Sequence, residues 1–161
     1  MDHTHHGQHH AHHGHGTESL NYIAFIATLH CLSGCAIGEV AGLFIGTALG
    51  WSNGATIALA VALAFLTGFA FTAVPFLRRG YSVAAALRIA LVADAASITI
   101  MEIVDNSLMF AIPGAMDAPA DSLHFWASMA FSLVVAGLAA YPVNRWLIAR
   151  GKGHAVAHAN H

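Results

Sequence analysis

Four apolar stretches, each long enough to cross a lipid bilayer, dominate this chain and leave little choice of architecture. They run from about Leu20 to Gly50, Ala55 to Leu77, Val83 to Ile112 and Leu123 to Ile148. A spanning helix needs about 20 predominantly apolar residues, and every stretch supplies them. The first and third exceed that length, so they tilt or extend past the hydrocarbon. The breaks carry turn chemistry. Trp51-Ser-Asn-Gly54 reads as a turn with an interfacial Trp, and Arg78-Arg-Gly80 as a basic turn. Pro113-Gly114 stops the third helix, and a loop through Pro119 and Asp121 leads to the fourth. The expected fold is all-α, a four-span transmembrane helical bundle over residues 20–150. Histidine-bearing tails at 1–19 and 151–161 flank it.

The charge content supports this class. Charged residues are 9% of the chain, against about 25% in an ordinary soluble domain. That is too few for a solvated skin, and the mean hydropathy of +0.64 agrees. A net charge of −2 gives no nucleic-acid footprint. The partners expected are therefore the lipid bilayer, a metal ion, and a second copy or another membrane subunit, but no nucleic acid. The basic residues orient the spans. Arg78, Arg79 and Arg88 flank the second loop, and Arg145, Arg150 and Lys152 follow the fourth span. The other two loops hold no Lys or Arg. By the positive-inside rule both termini are cytoplasmic, in a bacterial inner membrane.

The N-terminal tail holds His3, His5, His6, His9, His10, His12, His13 and His15, separated by Gly, Ala, Gln and Thr. It lacks apolar periodicity and is expected to be disordered. An engineered tag would be an uninterrupted run, and the C-terminal tail carries His154, His158 and His161 in a similar setting. Imidazoles on a loose chain suit auxiliary binding of zinc or nickel.

The first span carries two ridges. Gly34, Gly38, Gly42, Gly46 and Gly50 recur every four residues, which lets another helix approach closely. Beside them Cys31, Cys35 and Glu39 stack one turn apart. With His30 they supply imidazole, thiol and carboxyl, the ligand types of copper and zinc sites. Singly, each has a plainer explanation. A buried Cys packs as a small hydrophobe, and a His can hydrogen-bond between helices. A thiol redox pair is a further alternative, although two thiols at i and i+4 are poorly placed for a disulfide.

The third span carries Asp94, Ser97, Met101, Glu102 and Asp105. Carboxyls in a spanning helix normally face the bundle interior and mark ion or proton paths, so Asp94, Glu102 and Asp105 are candidates for a polar path. Asp105 and Asn106 fit equally well at the outer interface, and Asp94 has Arg88 as an alternative partner. On the fourth span Trp126 reads as an interface anchor and Pro142 as a kink. Met109, Met116 and Met129 read either as core filler or as thioether ligands for copper(I).

Three motifs carry a resemblance. They are His30-Cys31-x-x-Gly34-Cys35-x-x-Gly38-Glu39, Ala93-Asp94-x-x-Ser97 with Glu102 and Asp105, and Tyr141-Pro142-Val143-Asn144. Over about Leu20 to Lys152 the chain resembles a family of small bacterial four-helix integral membrane proteins catalogued only as a domain of unknown function. The resemblance implies the fold and the membrane location, and no activity. The residues themselves point to binding a transition-metal ion, copper or zinc, with nickel as a further option, and to moving it through His30, Cys31, Cys35 and Glu39. The alternatives are an assembly subunit that packs a partner on the glycine ridge, and a membrane thiol redox protein. No nucleophile triad, nucleotide loop or CxxC pair argues for a conventional enzyme.

Overall fold

The computed structural model describes residues 15–150, which form four helices. Helix α1 is His15–Ala48, α2 Asn53–Arg78, α3 Val83–Ala111 and α4 Leu123–Ala149. All four are long and apolar enough to span a membrane. Consecutive helices are antiparallel neighbours, α4 returns to α1, and α1 also touches α3 across the bundle. Helix α1 starts at His15, inside the expected tail, although the apolar span itself begins at Leu20. Once a helix is nucleated, each further turn costs little, and nothing between Thr17 and Leu20 breaks it. His3 to His13 of the expected tail site, and the whole C-terminal tail, lie outside the described residues.

The turns form for local reasons. Gly50 at φ 65° and Gly80 at φ 87° take the left-handed conformation that ends a helix. The next residue closes each turn backward, Trp51 N–H to the Gly46 carbonyl at 2.9 Å and Tyr81 N–H to the Phe76 carbonyl at 3.1 Å. Ser52, Ser82 and Ser122 each cap the following helix, accepting from the N–H groups of Ala55, Ala85 and Phe125. The Ser52 cap starts α2 at Asn53, so the expected Trp51–Gly54 turn is two residues shorter at its end. Trp126 ties down the last loop, its indole N–H donating to the Ala120 carbonyl at 2.8 Å. Helix α4 continues through Pro142.

The glycine ridge meets α2. Gly34 faces Gly68, Gly38 faces Ala64, Gly42 faces Ala60 and Gly46 faces Thr56. Thr67 of α2 donates across this seam to the Gly34 carbonyl at 2.6 Å. Four of the five ridge glycines are therefore packed within the chain, and Gly50, in the turn, has open space around it. A methyl group at Gly38 would overlap the Ala64 backbone, so Gly38→Ala should force the helices apart and cost about 1–3 kcal/mol. Gly54, in the first turn of α2, has open space around it. Gly54→Ala should be neutral or stabilising by a few tenths of a kcal/mol. Thermal unfolding of both variants in detergent checks the contrast, and equal melting temperatures would refute the close packing. Large apolar side chains such as Phe25, Leu66, Ile103 and Leu138 point outward around the bundle, as a lipid-facing surface requires.

Candidate functional site

With the glycine ridge against α2, the neighbouring ridge of α1 turns inward to α3. Cys31, Cys35 and Glu39 are all buried. Opposite them, Asp94, Ser97, Met101, Glu102 and Asp105 form the buried face of α3. Because α1 and α3 run the same way, their side chains meet level by level. The Cys31 thiol donates to Asp94 Oδ1 at 3.6 Å, and Thr72 and His30 also interact with that carboxyl. Asp94 therefore faces α1 and α2 instead of pairing with Arg88. One turn on, Cys35 interacts with Glu102 and Glu39. Beyond it, Glu39 faces both Glu102 and Asp105. Asp105 is buried and accepts from the Ser132 hydroxyl of α4. It belongs to this line and not to the outer interface.

The four carboxyl-bearing residues are nearly inaccessible, with Glu39, Glu102 and Asp105 at 5% exposure and Asp94 at 1%. No described base balances the group around Glu39. The described arginines are all exposed, and the charged groups acting on Glu39, Glu102 and Asp105 are other acids. Apart from the Cys35 thiol near Glu102, neither oxygen of Glu39 nor of Glu102 has a donor in well-formed hydrogen-bond geometry among the described residues. A carboxylate in such a place is strongly destabilised unless it takes up a proton or a cation. Glu39, Glu102 and Asp105 also line a cavity of about 90 Å³ that reaches the exposed Asn53 at the start of α2.

The expected metal set is thus spread along the helix. His30 and Glu39 are nine steps apart along the helix, a rise of about 13 Å, and one ion cannot bridge that. Among the described residues no three His, Cys, Asp or Glu side chains stand as a ready metal-holding group. Cys31 and Cys35 are both free thiols. His30 is half-buried with its ring edge-on to Phe71, centroids 5.3 Å apart. Asp94, Glu102 and Asp105, expected as a polar path, lie in one buried line on α3 that rises about 16 Å.

The structure adds residues that the motifs did not single out as part of the path. Ser97 donates to the Asn144 side chain, whose amide donates to Thr28 Oγ1 at 2.9 Å. Thr28 in turn donates to the Ala24 carbonyl at 2.8 Å. These bonds extend the polar line toward the end that carries the termini. The signal was present on α4: Ser128, Ser132, Ala136, Ala140 and Asn144 recur every four residues and all are buried. A stripe of small and polar residues at that spacing marks an inward face. His124, at the other end, holds the loop through a 3.1 Å contact with the Pro113 carbonyl.

No curated protein and no solved structure matches the chain. The domain of unknown function DUF4396 matches residues 22–153, a stretch that takes in the first span from Tyr22, the other three spans whole and every residue of the buried line, and the chain belongs to that family.

Proposed function

We propose that the protein binds a transition-metal ion, copper or zinc, between α1 and α3 and carries it across the bilayer in exchange for protons. One observation carries this reading. Glu39 and Glu102 are buried together beside Asp105 and Cys35, and among the described residues neither carboxyl makes a well-formed hydrogen bond and no base balances them. In the apolar interior only a proton or a metal cation satisfies such a group. The thiol of Cys35 biases the site toward soft and borderline metals. Side-chain rotation brings Cys35, Glu39 and Glu102 onto one ion. Asp94 with Cys31, and then Ser97, Asn144 and Thr28, continue the route. The tail histidines bind metal at the cytoplasmic end of this route.

Metal content decides the matter. The full-length protein, with every histidine except His30 and His124 replaced by glutamine, should still retain about one tightly held copper or zinc per chain after desalting. Elemental analysis that finds no metal, even after loading, would remove the metal reading.

The proposed orientation places both termini in the cytoplasm of a bacterial cell, across the inner membrane. Its support is the clustering of Arg78, Arg79, Arg88, Arg145 and Arg150 at one end, against no Lys or Arg in the loops at the other. A cysteine introduced at Asp117 should react with an impermeant maleimide on intact cells, and one at Tyr81 should not. The reverse pattern would invert the topology.

A further inference from the structure

The chain has five methionines, and three of them line the cavity that Glu39 and Glu102 also line. Met109 comes from α3, Met116 from the α3–α4 loop and Met129 from α4. They pack into one cluster around Phe125 at the bundle end opposite the termini. Their convergence from three separate segments is a property of the tertiary structure. Filler methionines need share no cavity, and still less one floored by two carboxyls that are 95% buried and make no well-formed hydrogen bond among the described residues. Asn53 anchors the mouth by donating to the Met116 carbonyl at 3.5 Å.

We propose that Met109, Met116 and Met129 form a thioether mouth that admits a soft monovalent cation, cuprous copper, to Glu39 and Glu102. This rests on the transport reading and names its substrate. Thioethers are neutral, soft ligands. They hold copper(I) and its analogue silver(I), and they ligate zinc poorly. They also give up no proton when they bind, so an ion is captured at the mouth before the carboxyl and thiol groups deeper in the line exchange theirs. The same end of the bundle has no cationic residue in its two loops to repel an incoming ion.

The test measures silver(I) and zinc(II) affinity by competition in the full-length chain with all histidines but His30 and His124 changed to glutamine. The variant Met109→Leu/Met116→Leu/Met129→Leu keeps side-chain volume. It should weaken silver(I) by about 100-fold, the scale at which even outer-shell changes act on metal sites. Zinc(II) affinity should hold, and Met101→Leu, whose side chain does not line the cavity, should change neither. Silver(I) binding that survives the triple substitution would overturn the mouth and leave the transport reading standing. Equal loss of silver(I) and zinc(II) would make the methionines packing residues and overturn it too. Failure of the parent to bind either ion would overturn the transport reading itself. A measurement without methionine variants stands beside these. The X-ray absorption spectrum of the Cys31→Ser/Cys35→Ser chain loaded with copper(I) should show sulfur neighbours, and a shell of oxygen and nitrogen alone would exclude the mouth.

Discussion

Glu102→Gln should weaken metal binding by about 100-fold while leaving the protein as stable as before or more so. The two effects have opposite signs for one physical reason. Glu102 sits in the apolar interior with no well-formed hydrogen bond to either oxygen among the described residues and with Glu39 and Asp105 facing it. A charged hydrogen-bonding or ligand contact contributes about 1.5–3 kcal/mol, and its loss from the bound state is a factor of ten to about a hundred. In the metal-free protein the acid is a burden. Replacing it with a neutral isostere removes a buried acid from a cluster of acids and adds an amide donor within reach of Glu39. A purely structural Glu102 would behave in the opposite way, with lower melting temperature and unchanged binding. Isothermal titration together with thermal unfolding of the same samples separates the two. Glu39→Gln should act alike, and the double variant should lose little more than either single one, because both serve one site. Metal affinity should also fall as the pH falls, since protons compete for Cys35 and Glu39 on α1 and for Glu102 and Asp105 on α3. Titration in buffers of different ionisation enthalpy should register proton release on binding, and a heat independent of buffer would contradict the exchange.

Cys35→Ser should cost at least tenfold in copper or zinc affinity, and Cys31→Ser should cost little at the same site. From the sequence alone the two cysteines and Glu39 look like a single unit on one helical face. The structure divides them between levels: Cys35 interacts with Glu102 and Glu39, whereas Cys31 donates to Asp94. One helical turn, about 5.4 Å, separates the levels. Serine keeps the size and removes the soft ligand, so the spans should remain folded. Cys31→Ser should instead slow release through the Asp94 level, which a stopped-flow efflux assay in vesicles reads without reference to affinity. Equal losses of affinity from the two substitutions would refute the division.

The number, length and ends of the spans were legible in the residues. Apolar runs of spanning length permit only helices or a closed barrel, and the helix ends follow from chemistry confined to a few neighbours, as at Ser52, Ser82, Gly50 and Gly80. That Cys31, Cys35 and Glu39 share one face was legible as well, because ridges at i and i+4 are intrinsic to the helix. The partner of each ridge was not. Lipid and bundle core are both apolar, so hydrophobicity does not tell a span which of its faces meets a neighbour. Only packing assigned the glycine ridge to α2, and that assignment turned the cysteines and Glu39 toward the acids of α3. The contributions of Ser132 and Asn144, and the meeting of Met109, Met116 and Met129 at one cavity, depend on residues far apart in the chain. The sequence by itself determined the helices and the chemistry each one carries. Tertiary packing alone decided which of those chemistries meet, because close approach at small residues, not hydrophobic burial, sets the rotation of a helix inside a membrane.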